Sequence, residues 1–125
     1  MKKGVSEMID EYVKSGDFKG EKHVPVVCAP ENVKKGEWFE VEVSVGKEIP
    51  HPNTVEHHIA WIELYAMPEG APYILRIGRY EFSPTLEEPI VKVKIKLEKN
   101  SKLIALSYCN LHGLWEGSKD VVVEE

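Results

Sequence analysis

From Glu37 to Val45 the apolar residues fall on alternate positions. Phe39, Val41, Val43 and Val45 share one face, and Glu40, Glu42 and Ser44 take the other. The stretch Ile90–Leu97 repeats the pattern, with Lys92, Lys94 and Lys96 opposite Val91, Val93, Ile95 and Leu97. Successive side chains of a strand point to opposite faces, so this period of two half-buries a strand and cannot be kept by a helix. Further strands are expected over 24–28, 58–66, 73–82, 102–108 and 120–124, punctuated by Gly, Pro and Asn clusters. About seven short strands predict an all-β fold, a seven-stranded immunoglobulin-like β-sandwich, with a barrel as the other way to close such a set. One segment departs from the pattern. Val5, Met8, Ile9, Tyr12 and Val13 recur at spacings of three and four, which predicts a short N-terminal helix within residues 5–15. Ser6 is placed to cap it and Gly16 to end it.

A chain of 125 residues is expected to form a single domain over 1–125. A formal net charge of −5 leaves no basic surplus for phosphate neutralisation, which argues against nucleic-acid binding. There is no apolar run of about 18 residues, so no membrane span is expected. Met1-Lys2-Lys3-Gly4 leads into polar and acidic residues, not the apolar core of a secretory signal. Two cysteines, Cys28 and Cys109, are too few for a disulfide framework, and a reducing, cytoplasmic location is expected.

The chemistry concentrates in three short segments. These are Glu21-Lys22-His23-Val24-Pro25, His51-Pro52-Asn53-Thr54-Val55-Glu56-His57-His58 and Cys109-Asn110-Leu111-His112-Gly113. They hold every histidine in the chain. Imidazole and thiolate are the side chains that bind first-row transition metals. Cys109 and His112, three apart, can grip one ion from a turn, with Gly113 allowing a sharp bend. Pro50 and Pro52 keep the His51–His57 loop out of regular structure and stiffen it. His57 and His58 are adjacent, so on an extended backbone only one of them can reach a shared ion. Structural zinc closes a tetrahedron with four ligands. Four nitrogens and a sulfur would instead leave an octahedral position open, which suits a redox-active iron pushed by its thiolate. A blue-copper carrier of the cupredoxin type is the alternative. It often uses an axial Met soon after the last His, where this chain has Gly113, Leu114, Trp115, Glu116 and Gly117.

In order and spacing these segments resemble the signature segments of superoxide reductases of the one-iron, neelaredoxin type, over Gly16 to Glu116. The two-iron class, desulfoferrodoxin, carries a further N-terminal domain with four cysteines on a second iron, and this chain lacks those cysteines. The resemblance implies one mononuclear non-haem iron, cycling between Fe2+ and Fe3+. It implies His23, His51, His57 and His112 as equatorial ligands and Cys109 as the axial thiolate. Glu21 matches the carboxylate that takes the sixth position in the oxidised resting state. Lys22 matches the cation beside the open site, and His58 and Cys28 have no ligand role. The implied activity is one-electron reduction of superoxide to hydrogen peroxide. A rubredoxin-like donor would restore the iron, in a homo-oligomer of two or four copies.

Overall fold

The structure, a computed structural model, describes residues 8–16 and 23–125. Eight strands follow one another: β1 (Val26–Cys28), β2 (Asn32–Lys34), β3 (Phe39–Ser44), β4 (Ile59–Pro68), β5 (Leu75–Glu81), β6 (Ile90–Ile95), β7 (Ser101–Cys109) and β8 (Gly113–Glu124). They form a three-stranded sheet in the order β1-β3-β6 and a five-stranded sheet in the order β2-β8-β7-β4-β5. All pairings are antiparallel except that of β2 with β8.

The alternation seen in the sequence sets which residues face inward. Val41 and Val43 on β3 are fully buried, as are Ile62 and Leu64 on β4 and Leu103 and Ala105 on β7. They join Val27, Ile95 and Val121 in one core between the sheets. The apolar area withdrawn there, at about 25 cal/mol per Å2, is the main favourable term for the fold. The lysines of β6 lie on the solvent side, as their alternation requires.

The expected sandwich is therefore observed, with one strand more than anticipated. The addition is β2, a three-residue strip with only Val33 buried. Of the helix expected within residues 5–15, the described part is a short 3-10 helix. Residues 5–7 lie outside the described residues, and beyond them only a single 3-10 turn, Ile9–Glu11, is present. The chain then docks on β8. Lys14 donates its N–H to the Leu114 carbonyl at 3.1 Å and accepts from the Glu116 N–H at 2.8 Å. A helix running to residue 15 would direct those two backbone groups along its own axis.

Candidate metal centre

Three separate stretches deliver the candidate metal-binding side chains. His23 precedes β1. The Ser107 hydroxyl on β7 donates to the His23 carbonyl at 2.9 Å in a buried bond. On β8, Gly117 lets the Pro25 carbonyl approach so closely that a Cβ would lie 2.0 Å from its oxygen. The indole of Trp115, also on β8, stacks on the His23 ring at 4.6 Å and 15°. Its N–H donates to the His112 carbonyl at 3.3 Å. One buried aromatic thus braces two of the histidines.

His51 and His57 sit in the loop between β3 and β4. The His51 Nδ1–H donates to the Pro52 carbonyl at 2.7 Å. That bond fixes the tautomer and leaves the Nε2 lone pair for a metal. Thr54 bends the loop back: its N–H donates to the His57 carbonyl at 2.9 Å, and its hydroxyl accepts from the His57 N–H at 3.0 Å. Cys109 ends β7, and Gly113, at φ +84°, turns the chain into β8. That is left-handed backbone, which glycine adopts without a steric cost.

The four rings form a closed square. Neighbouring pairs stand edge to face, with centroids 4.7 Å apart for His23–His51, 4.6 Å for His51–His57, 5.0 Å for His57–His112 and 4.9 Å for His23–His112. His23 and His57 lie across from each other at 6.4 Å. His23 Nε2 and His112 Nδ1 are 3.0 Å apart. Two nitrogens at right angles, each about 2.1 Å from one ion, would be separated by about 3.0 Å. The Cys109 sulfur is 3.5 Å from His51 Nε2 and 3.8 Å from His112 Nδ1. One donor atom from each of His23, His57, Cys109 and His112 falls within a span of 4.8 Å. The donor set and its spacing fit a single ion ringed by imidazoles with one thiolate.

Burial grades across the centre. Cys109 and His23 are fully buried and His51 nearly so, whereas His57 and His112 are half-buried. The thiolate therefore lies on the core side, with His57 and His112 towards the surface. Lys47, four residues before His51, is held by Glu42 at 2.5 Å. The hydrogen bond and charge of Glu42 raise its pKa and offset its field. It is not a free cation for the site.

The structure brings together His23, His51, His57, Cys109 and His112, all five singled out in the sequence. His58 stays out, its Nδ1–H donating to the Thr54 carbonyl at 3.0 Å. Cys28 is an exposed thiol on β1. Glu21 and Lys22 lie outside the described residues. Four supporting residues escape a reading of the sequence: Ser107, Asn110, Trp115 and Gly117. Only the neighbouring Cys109 and His112 hint at the first three. The importance of Gly117 depends on a carbonyl more than ninety positions away in the chain, at Pro25.

A β-sandwich that gathers four imidazoles around one ion position beside a buried thiolate belongs to the mononuclear, histidine-rich metalloproteins. The sequence model of the desulfoferrodoxin family matches residues 15–118. A superoxide reductase of Pyrococcus horikoshii is 58% identical over 112 residues, spanning 87% of this chain and 95% of that protein. The neelaredoxin of Megalodesulfovibrio gigas is 40% identical over 122 residues, spanning 88% and 94%. The solved superoxide reductase (neelaredoxin) of Ignicoccus hospitalis superposes with a TM-score of 0.88 at 44% identity, covering 94% of this chain and all of that one. The chain belongs to the desulfoferrodoxin family, among its superoxide reductases.

Proposed function

We propose that residues 1–125 act as one superoxide reductase domain that holds a mononuclear iron through His23, His51, His57, His112 and Cys109. The observation that carries this reading is the square of imidazoles beside a buried sulfur. Five converging donors exceed what a blue-copper carrier uses, which weighs against that alternative. Superoxide takes up one electron and two protons and leaves as hydrogen peroxide. Bound iron supplies the electron by passing between its ferrous and ferric states.

The remaining work falls to the chain's own side chains. The histidines would hold the ion position through their imidazole nitrogens. Cys109, the one charged ligand among them, would donate electron density to bound iron. The substrate is an anion and the chain carries a net charge of −5, so a local cation has to attract it. Lys22, adjacent to His23 in sequence, is suited to that task and to passing protons through water. Glu21, two residues before His23 in sequence, would offer a carboxylate oxygen to the oxidised iron. A rubredoxin-like protein supplies the electron from outside, in the cytoplasm, to a homo-oligomer. Among the described residues no helix is long and apolar enough to cross a membrane.

The direct test is iron content together with oxidation of the reduced protein by superoxide. A colourless protein without stoichiometric iron, or one with the intense blue band of a copper thiolate, would overturn the reading. For Lys22→Ala the second-order rate with superoxide is expected to fall about tenfold, at the low end of electrostatic steering effects. Its dependence on ionic strength should flatten, and an unchanged rate and salt slope would remove Lys22 from substrate attraction. For Glu21→Ala, reduction should persist while the absorption spectrum of the oxidised protein shifts. Loss of iron in that variant would make Glu21 a structural residue instead.

A further inference from the structure

Two of the three metal-binding segments are joined by one side chain that binds no metal. Asn110 directly follows Cys109, on the exposed side of the turn that leads to His112. Its Oδ1 accepts from the His58 N–H at 2.8 Å, and its Nδ2 donates to the Glu56 carbonyl at 2.9 Å. Its own N–H donates to the His58 carbonyl at 3.1 Å. The amide therefore bonds on both sides of His57, to Glu56 and to His58.

We infer that Asn110 is the positioning residue that fixes His57 relative to the Cys109 thiolate, and so sets the affinity and coordination of the metal. This rests on the metal-site reading above. His23 and His51 are held by burial, but His57 is half-exposed and sits on a loop that strand pairing does not reach. Thr54 bends that loop locally. The side-chain bonds from the thiolate turn to the residues flanking His57 are those of Asn110. The amide is also chemically specific. It must accept from an N–H and donate to a carbonyl at once, and aspartate can do only the first. Outer-shell partners of this kind typically change metal affinity by roughly 10–100-fold.

The test uses Co2+ as a spectroscopic probe, titrated into the metal-free full chain and followed by its thiolate-to-metal absorption band against a competing chelator. Wild type should bind one Co2+ with that band. Asn110→Ala should bind about 10–100-fold more weakly with a shifted ligand-field spectrum, while its metal-free melting temperature stays within a few degrees of wild type. Asn110→Asp, which keeps the acceptor and loses the donor, should fall between the two, and it serves in place of the alanine variant if that one fails to fold. Wild-type binding with unchanged affinity and spectrum in both variants overturns the inference alone. Failure of wild type to bind with a thiolate band overturns the metal-site reading and the inference with it.

Discussion

Cys109→Ala is expected to abolish the thiolate-to-iron absorption band and to lower superoxide reduction by more than about 100-fold. Loss of a group that only hydrogen-bonds a metal ligand typically costs roughly 10–100-fold in metal affinity or activity. Loss of an anionic ligand should cost more, because it supplies both a bond and the negative charge that offsets the metal's. The fold should tolerate the change. Cys109 is fully buried, pairs with Ile59 across the sheet and belongs to the core, and truncation to alanine removes one sulfur atom, a loss of about 1 kcal/mol. The metal-free variant should therefore melt close to wild type. Two measurements separate the effects: the visible spectrum after iron reconstitution, and thermal unfolding of the metal-free chain. A variant that keeps the band would show that Cys109 is not a ligand.

The second large effect should come from a residue that touches no metal. In Gly117→Ala the added Cβ would meet the Pro25 carbonyl oxygen at 2.0 Å and the Pro25 carbonyl carbon at 3.2 Å. Both are backbone atoms, so no rotamer change can relieve the overlap. Either β8 or the segment leading into β1 has to move by more than an ångström. Overpacking of this kind costs roughly 1–3 kcal/mol and occasionally more. We expect the upper end, because Ser107 and Trp115 hold the same segment in place through His23. The displaced segment carries His23, so iron affinity should fall together with stability. Denaturant unfolding of the metal-free chain gives the first quantity and chelator competition the second. Stability within about 0.5 kcal/mol of wild type, the range of neutral surface changes, would mean that the approach of Pro25 to β8 is not tight.

The strands that alternate were legible because a period of two has one physical cause, and β3 and β6 follow it almost residue for residue. Strand β8 was read only from Asp120, although it begins at Gly113. Gly113 and Gly117 look like breaks in a sequence, yet here one opens the strand and the other admits a crossing carbonyl. Strand β2 has a single buried residue and no alternation to read. Apolar spacing, with Ser6 and Gly16 at its ends, predicts more helix at the N-terminus than the single 3-10 turn of Ile9–Glu11. Met8, Ile9 and Tyr12 stay exposed, so among the described residues their stripe has no surface to cover it. The candidate metal-binding residues are legible because thiolate and imidazole declare their chemistry wherever they stand. Asn110 and Ser107 declare nothing until the register of β7 and the path of the loop place them beside the ligands.

His23 and His112 meet at 3.0 Å although they lie 89 positions apart in sequence. An ion held by both would act as a removable cross-link, closing a loop that takes in most of the chain. Closing loops of this length with a covalent bridge restricts the unfolded ensemble by about 4–5 kcal/mol. A metal clip has the same effect only while it is occupied. Resistance to heat and proteolysis then follows free ferrous iron by mass action, rising with the logarithm of its concentration above the dissociation constant. The ion that performs the chemistry would also regulate how long each copy of the chain survives.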